Sequence, residues 1–241
     1  MRRFFSPPEN ITQGQVHLGY EETRHLRDVL RLKSGDAASV FDGRGREYLC
    51  RIEQLNRKEA VLKVERETAP ASPESPLDLT VAAAILPGEK FEITVQKAVE
   101  LGVDRLVPLY TARCEVKPGG TSRRHERWQK IAVESAKQSG RAKLMEIAEP
   151  QGLGELFEKK GSTAETKIFF SERGGSGFST IEPALKMTAV FGPKGGWDDS
   201  ELENARSAGF AIVTFGGRIM RAETAAIAMT AILQHRFGDI S

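Results

Sequence analysis

The sequence predicts an α/β protein in two parts: a small β-rich barrel, followed by a larger α/β domain with a mainly parallel sheet. Three observations predict this fold class. Short, partly alternating apolar segments fill the first 70 residues, a proline- and serine-rich stretch interrupts the chain at residues 67–76, and continuous apolar strands then alternate with helices. We therefore place the barrel at residues 1–70, a linker at 71–76 and the α/β domain at 77–241.

The first part contains three predicted strands and one predicted helix. The strands are residues 38–41, 47–53 and 60–65. A turn at residues 42–45 joins the first two as a hairpin. Residues 21–31 have helical spacing, with Leu26, Val29 and Leu30 on one face, which predicts an amphipathic helix beside the strands.

The second part alternates strands with helices from residue 79 onward. Its predicted strands are residues 79–86, 105–110, 167–172, 187–192 and 210–216. Helical spacing from Phe91 to Val99 predicts a helix that Gly102 closes, and a longer helix is predicted at residues 122–139. Asp198 is a helix cap with Glu201 in the third position. The last predicted helix covers residues 222–237 and is rich in alanine and threonine.

Composition describes an ordinary globular protein and excludes several classes. Hydrophobic residues make up 39% of the 241 residues and charged residues 28%, with a formal net charge of +2. The two cysteines, Cys50 and Cys114, are too few for a disulfide framework or a zinc site, and we expect no bound metal. No apolar run is as long as a membrane span, and the N-terminus lacks a signal-peptide core. These features indicate a cytoplasmic protein with no membrane partner.

Basic residues are concentrated near the N-terminus and between residues 121 and 144. Such faces can hold a phosphate backbone, although a solvated helix face has the same composition. Lys97 and Glu100 lie one helical turn apart and can equally form a surface pair. The candidate RNA-contacting residues are Arg2, Arg3, Arg24, Arg27, Arg31, Lys97, Arg123, Arg124, Gln138 and Arg141.

Two glycine-bearing loops directly follow predicted strands, at residues 192–196 and 216–221. In an open parallel sheet, ligands bind at the loops that leave the carboxyl ends of the strands, and glycine lets the backbone approach the ligand closely. Neither loop has the spacing of a P-loop or a dinucleotide fingerprint, which disfavours an ATPase and a Rossmann dehydrogenase. Taken alone, each loop can also be a purely structural turn.

Six segments, in order, resemble the RsmE family of 16S ribosomal RNA uridine-N3 methyltransferases in the SPOUT superfamily. They are HLRDVLRLKSGD at 25–36, FDGRGREY at 41–48, KFEITVQKAVELGV at 90–103, RWQKIAVESAKQSGR at 127–141, FGPKGGWDDSEL at 191–202 and GGRIMRAETA at 216–225. The last two are the most specific. The segments are spread in family order from residue 25 to residue 225, so the resemblance extends to both parts.

The resemblance implies a PUA-like barrel for RNA and a C-terminal domain with a deep trefoil knot. It also implies S-adenosylmethionine as the methyl donor, a homodimer whose active sites are lined by both subunits, and 16S ribosomal RNA or the small ribosomal subunit as partner. The product would be 3-methyluridine at uridine 1498. The donor-binding residues that it implies are Phe170, Ser171, Glu172, Gly192, Pro193, Gly195, Gly196, Phe215, Gly216, Ile219 and Met220.

Methylation of uridine at N3 requires negative charge on the base, because N3 carries a proton and its lone pair is poor. Charge then develops on the flanking carbonyl oxygens, where an arginine or lysine stabilises it. Arg221, between the second glycine loop and the last helix, is our candidate for this role. Glu223 lies in the first turn of that helix, where it is either a proton acceptor or a complement to the helix dipole.

One position departs from the family pattern. Lys194 stands where the first glycine loop of the family usually has a glutamate, so any chemical role of that glutamate cannot be carried over. Donor binding through the main chain should survive, because the glycines are intact. Two alternatives stay open: an RNA-binding or ribosome-assembly factor of the same fold with weakened chemistry, and a transfer RNA ribose methyltransferase.

Overall fold

The computed structural model describes residues 2–119, 121–158 and 165–240. The chain folds into two compact units. The first unit comprises residues 1–74 together with residues 133–144, and the second comprises residues 75–132 together with 145–241.

The first unit is built on a six-stranded sheet. Its strands are β1 (Arg3–Phe5), β2 (Ile11–Thr12), β3 (Gln15–Leu18), β4 (Ala37–Phe41), β5 (Glu47–Leu55) and β6 (Ala60–Thr68), in the order β1-β4-β5-β6-β3-β2. Only β1 and β4 pair in parallel; every other described pair is antiparallel. The three predicted strands are confirmed as β4, β5 and β6. Strands β1–β3 were not predicted, because they have two to four residues each and are too short to show an alternation of apolar and polar residues.

The helical segment of this unit differs from the single amphipathic helix that the sequence predicts. Helix α1 (Tyr20–Arg24) continues as a π-helical turn at His25–Val29, in which the amide of Leu30 donates to the carbonyl of His25. The wider turn changes the helical register. Leu26 is fully buried, but Val29 is 66% exposed, so the predicted shared face of Leu26 and Val29 is wrong.

Arg3 is buried in the first unit and is not available to RNA, which corrects its assignment as an RNA contact. Its guanidinium forms a two-pronged salt bridge with Glu47, with both N···O distances 3.0 Å. It also donates to the carbonyls of Ala136, Gly140 and Arg141 at the end of the long helix, at 2.7–3.1 Å. Burial alone would raise the pKa of Glu47, but the hydrogen bonds from Arg3 and Ser39 hold it below its usual value.

The second unit is built on a seven-stranded parallel sheet. Its strands are β7 (Asp78–Ala84), β8 (Arg105–Tyr110), β9 (Glu146–Ile147), β10 (Gln151–Gly152), β11 (Thr166–Phe170), β12 (Lys186–Phe191) and β13 (Ala211–Val213). The order is β10-β8-β7-β12-β11-β13, with β9 also paired to β8. All described pairs are parallel, so the predicted parallel sheet is confirmed. The strand predicted at residues 210–216 is shorter than expected, because the chain leaves the sheet after Val213.

Five α-helices accompany this sheet in the described residues. They are α2 (Lys90–Glu100), α3 (Thr121–Ser139, whose residues from 133 onward belong to the first unit), α4 (Leu153–Glu158), α5 (Asp199–Ser207) and α6 (Ala222–Phe237). The predicted capping box of α5 is confirmed: Asp198 accepts from the amide of Ser200, and Glu201 accepts from the amide of Asp198. Helix α2 packs against α6. None of the helices in the described parts of the chain has both the length and the apolar character needed to cross a membrane.

Candidate functional site

A cavity of about 520 Å³ lies at the carboxyl ends of the neighbouring strands β11, β12 and β13. Three segments wall it, residues 170–172, 191–197 and 214–222, and the side chains of Ala225 and Met229 on α6 complete it. Since parallel strands end at the same edge of a sheet, loops far apart in the chain meet there. The volume is within the range of small-ligand sites.

The structure brings all eleven predicted donor-binding residues to the wall of this cavity. The wall also contains Lys194, the residue that departs from the family pattern, and eight residues that the sequence did not predict for the site: Phe191, Trp197, Thr214, Gly217, Arg218, Ala222, Ala225 and Met229. Trp197 follows the first glycine pair directly and could have been found as part of the same motif. Ala225 and Met229 could not have been found from the sequence, because they reach the cavity only through the position of α6 in the fold.

Trp197 holds two of the loops together from beneath. Its side chain is 1% exposed, and its indole nitrogen donates to the carbonyl oxygen of Phe170 at 2.8 Å. The centroid of its ring lies 4.2 Å from the centroid of the Phe169 ring. The same indole lies directly beneath Gly192. A Cβ on Gly192 would be 2.8 Å from the indole, so glycine is required there for the loop to close over the ring.

Only some glycines of the two loops have a left-handed backbone. Gly196 has φ +70° and Gly217 has φ +103°, whereas Gly195 and Gly216 are not in this region. Strain on substitution is therefore expected at Gly196 and Gly217. A Cβ on Gly195 would instead lie 3.3 Å from the Cβ of Arg113, and one on Gly216 would meet no described atom within 4 Å.

Two arginines connect the loop at residues 192–198 to the segments that follow β8 and β11. Arg113, which follows β8, donates to the carbonyl of Gly195 at 3.2 Å and pairs with Asp198 at 3.3 Å. Hydrogen bonds from Ser200 lower the pKa of Asp198, and Arg113 adds to this effect. Arg173 donates to the carbonyl of Trp197 at 3.1 Å and pairs with Asp199 at 2.5 Å.

The charged groups on the cavity wall are Glu172, Lys194, Arg218 and Arg221. Arg173 pairs with Glu172 at 2.9 Å, which neutralises part of its charge. The ammonium of Lys194, on a side chain that is 68% exposed, lies 3.4 Å from Glu115. The lysine that departs from the family pattern thus sits at the rim beside a carboxylate, and the wall carries an excess of positive charge.

The two predicted catalytic residues occupy different places. Arg221 lies on the cavity wall as the residue before α6, in an extended conformation and exposed. Glu223 does not line the cavity; its carboxylate lies 3.4 Å from the ammonium of Lys90 on α2. Its charge also complements the N-terminus of α6. The geometry therefore favours the helix-dipole interpretation of Glu223 over the role of proton acceptor.

The candidate RNA contacts divide into exposed and engaged side chains. Arg2, Arg24, Arg31, Arg123, Arg124 and Gln138 are exposed, and Arg27 is partly exposed. Lys97 forms the surface pair with Glu100 at 2.8 Å that the sequence allowed. Arg141 is 4% exposed and pairs with Glu74 at 2.7 Å, so, like Arg3, it stabilises the first unit and does not offer its charge to RNA.

A cavity walled by glycine loops at the carboxyl edge of a parallel sheet is typical of α/β enzymes that bind a small ligand. The chain belongs to the RNA methyltransferase family: residues 73–234 match its RNA methyltransferase domain, and residues 19–65 match its PUA domain. The first unit is therefore PUA-like, as the resemblance implied.

Curated relatives cover most of the chain. The ribosomal RNA small subunit methyltransferase E of Synechocystis sp. is 33% identical over 92% of this chain and 74% of its own length. The enzyme of the same name from Bacillus subtilis is 29% identical over 88% of this chain and 87% of its own length.

Solved structures agree with this family. The ribosomal RNA small subunit methyltransferase E of Neisseria gonorrhoeae, bound to S-adenosylmethionine, is 34% identical and superimposes with a TM-score of 0.92 over 100% of both chains. A methyltransferase of Legionella pneumophila, also with S-adenosylmethionine, is 28% identical with a TM-score of 0.91 over 99% of both chains.

Proposed function

We propose that this chain transfers a methyl group from S-adenosylmethionine to N3 of a uridine in 16S ribosomal RNA, at position 1498. The observation that carries the proposal is the cavity, where three loops from the edge of a parallel sheet meet in a chain of the RNA methyltransferase family. Relatives named for small-subunit ribosomal RNA methylation, and a similar structure with the donor bound, support it. The reaction takes place in the cytoplasm, with 16S ribosomal RNA or the small ribosomal subunit as partner.

The described residues fit S-adenosylmethionine. Apolar side chains on the wall, among them Phe191, Ile219 and Met229, suit the adenine ring and the thioether carbons. The closely approaching glycine loops offer main-chain groups to the adenine edge, and Gly192 leaves no room for a side chain above Trp197. When bound, the donor supplies an electrophilic methyl group on a positively charged sulfur.

The chain's own contribution to the chemistry is the generation of a nucleophilic nitrogen. The guanidinium of Arg221 stabilises negative charge on the carbonyl oxygens that flank N3, so the N3 proton leaves to water more readily. Trp197, Arg113 and Arg173 fix the positions of the loops. Fixed loops orient the methyl donor and the uridine relative to each other, which supplies a further part of the rate enhancement.

Two finer features belong to the same proposal. The second unit contains a trefoil knot, a feature that rests on the resemblance to the SPOUT superfamily. The protein acts as a homodimer. In support, Ala225, Ala228 and Ala231 on α6 are only partly buried within one chain, and Ile219 beside this helix is 89% exposed.

Product analysis tests the proposal. The purified protein is incubated with S-adenosylmethionine and 16S ribosomal RNA that lacks the modification, and the digested nucleosides are identified by mass spectrometry. We expect 3-methyluridine, together with a reverse-transcription stop at one uridine, because a methyl group on N3 blocks base pairing. A 2′-O-methylated product would indicate the ribose methyltransferase alternative. Donor binding without any product would indicate the RNA-binding factor.

A further inference from the structure

One aromatic side chain on the cavity wall is substantially exposed. The aromatic residues among the described wall residues are Phe170, Phe191, Trp197 and Phe215. The first three are at most 7% exposed, because Phe170 stacks on Phe191 and Trp197 packs against Phe169. Phe215, in contrast, is 40% exposed. Of these four rings it is therefore the one that can pack flat against a ligand in the cavity.

A second phenylalanine, outside the cavity wall, supports this ring. Phe178 is the first residue of a short 3-10 helix, Phe178–Thr180, and it does not line the cavity. It packs edge-on against Phe215, with the ring centroids 6.0 Å apart and the ring planes at 78°. Edge-to-face packing is a preferred arrangement of two aromatic rings, so the pair favours one orientation of each. The contact restricts the positions that the Phe215 ring can adopt.

Arg236, in the last turn of α6, fixes Phe178 in turn. Its guanidinium donates to the carbonyl oxygen of Phe178 at 3.2 Å, and its central carbon lies 5.4 Å from the centroid of the Phe178 ring. The same carbon lies 5.0 Å from the centroid of the Phe237 ring. A cation over an aromatic face is attracted by the charge distribution of the ring. Arg236, Phe178 and Phe215 thus form a row of contacts from the end of α6 to the cavity wall.

The backbone that precedes Phe178 is bound along the edge strand β13. The amide of Ser176 donates to the carbonyl of Ile212 at 3.0 Å, and the amide of Thr214 donates to the carbonyl of Ser176 at 2.9 Å. The approach is so close that a Cβ on Gly175 would lie 2.7 Å from backbone atoms of both Ile212 and Thr214. These hydrogen bonds give Phe178 a fixed support, as a residue that positions another side chain requires.

We propose that Phe178 and Arg236 are positioning residues of the donor site, which hold the ring of Phe215 where the adenine of S-adenosylmethionine packs against it. The inference rests on the proposed function for the identity of the ligand. A purine is flat, so it gains most from a ring whose orientation is fixed before binding. Without this support the Phe215 ring has to be ordered when the donor binds, which lowers the affinity. The ribose separates the adenine from the methyl group, so the rate at saturating donor should not change.

Calorimetric titration of the full chain with S-adenosylmethionine and with adenosine tests the inference. For Phe178→Ala we expect both Kd values to rise about 3- to 10-fold, which corresponds to the loss of one aromatic pair. The two factors should agree, because adenosine keeps the purine. Phe178→Tyr, which keeps the ring, should bind both ligands like the wild type. In methylation assays, Phe178→Ala should raise the KM for the donor by a similar factor and leave kcat within about twofold.

A double-mutant cycle tests whether Phe178 acts through Phe215. Phe215→Ala alone should weaken donor binding, and adding Phe178→Ala should cause a further loss of no more than about twofold, because the ring to be positioned is gone. Arg236→Ala should raise the Kd for the donor about two- to fivefold. Arg206→Ala is the matched control: its guanidinium donates to the carbonyl of Gly174 in the same segment, at 3.2 Å. This variant should leave the Kd within about 1.5-fold of the wild type.

An unchanged Kd for the donor in a folded Phe178→Ala protein would overturn the inference. So would equal losses from Phe178→Ala with and without the Phe215 ring, since Phe178 would then act on the fold in general. Equal losses in Arg206→Ala and Arg236→Ala would assign the effect to the anchoring of the segment and would also overturn it.

Production of 3-methyluridine by the wild type is measured in parallel. If the wild type makes none while Phe178→Ala still loses affinity for the donor, the proposed function fails and this inference stands. If the wild type makes 3-methyluridine and Phe178→Ala binds the donor normally, only this inference fails. A wild type that binds neither S-adenosylmethionine nor adenosine would overturn both.

Discussion

The indole nitrogen of Trp197 donates a hydrogen bond to the carbonyl oxygen of Phe170, 2.8 Å away. This bond joins the end of β11 to the turn that follows the first glycine loop, and the same ring supports Gly192. Two segments of the cavity wall that are 27 residues apart in sequence therefore keep their spacing through one buried side chain. The shape of the proposed donor site depends on it.

Trp197→Phe should loosen these loops while the protein stays folded. The variant keeps an aromatic ring but leaves the Phe170 carbonyl unsatisfied, which costs about 1–3 kcal/mol of stability. We expect affinity for S-adenosylmethionine to fall about fivefold or more in calorimetric titration. Trp128→Phe is the matched control, because Trp128 is also buried but packs against Phe91 on α2, away from the cavity wall. Equal donor affinities for the two variants would contradict this role of Trp197.

Gly196→Ala should weaken donor binding through the backbone. The residue has φ +70°, where any side chain strains the backbone, and a Cβ would also crowd a carboxylate oxygen of Glu172 at 3.1 Å. We expect the Kd for S-adenosylmethionine to rise at least about tenfold, which is 1.4 kcal/mol. Gly209→Ala imposes similar strain at φ +81° but lies outside the cavity wall and meets no described atom within 4 Å. If Gly209→Ala lowers the affinity for S-adenosylmethionine as much as Gly196→Ala does, the loss comes from general destabilisation and the specific role of Gly196 is contradicted.

Glu47→Gln should destabilise the first unit in a pH-dependent way. The change leaves Arg3 buried without its counter-charge, at a cost of about 3–5 kcal/mol at neutral pH. The pKa of Glu47 lies below its usual value of 4.5 in the folded chain, so its stabilisation is present above pH 4.5 and is lost as the pH falls through the lowered value. Urea unfolding should therefore show the wild type and the variant converging in acid.

The exposed Glu67 on the same sheet offers the control for this experiment. Glu67→Gln should change the free energy of unfolding by no more than about 0.5 kcal/mol. A gap between Glu47→Gln and wild type that stays constant from pH 7 to pH 3 would show that the Glu47 carboxylate does not carry the interaction.

Light scattering should give a mass of twice 26.5 kDa at micromolar concentration. Ala228 on α6 is partly exposed, and Ala228→Glu places a charge where we expect a second copy to pack. The variant should shift towards monomer and lose methylation together with dimerisation. Ser207→Glu, at the exposed end of α5, should do neither. A wild type that is monomeric and fully active would refute the homodimer.

Local sequence patterns predicted those parts of the structure that depend on local interactions. Helix α6 begins and ends where its alanine-rich run does, and the cap at Asp198 follows from its spacing to Glu201. The donor-loop residues were named through family motifs, and the sheet then brings them together at one edge.

Long-range and subtle backbone features could not be predicted. The sequence alone suggests that Arg3 is a surface cation. Its partners Glu47 and Ala136 lie 44 and 133 residues away in the chain, so no local pattern could show that it is buried. Val29 reads as a core residue because helical spacing assumes 3.6 residues per turn, and the π-helical turn breaks that spacing. The sequence shows two glycine pairs but not which member of each pair has positive φ, so the left-handed positions Gly196 and Gly217 could not be predicted.

The central claim is that Arg221 stabilises the uracil anion during methyl transfer. Single-turnover methylation of 16S ribosomal RNA by Arg221→Ala, measured across a pH series, tests it most directly. We expect the rate to fall about 100- to 1000-fold while the affinities for S-adenosylmethionine and RNA stay within a few-fold of wild type. Higher pH should restore part of the rate, because more uridine ionises unaided, and Arg221→Lys should rescue it only in part. A variant with the wild-type rate, or one whose whole defect is lost RNA affinity, would contradict the claim and make Arg221 a phosphate contact.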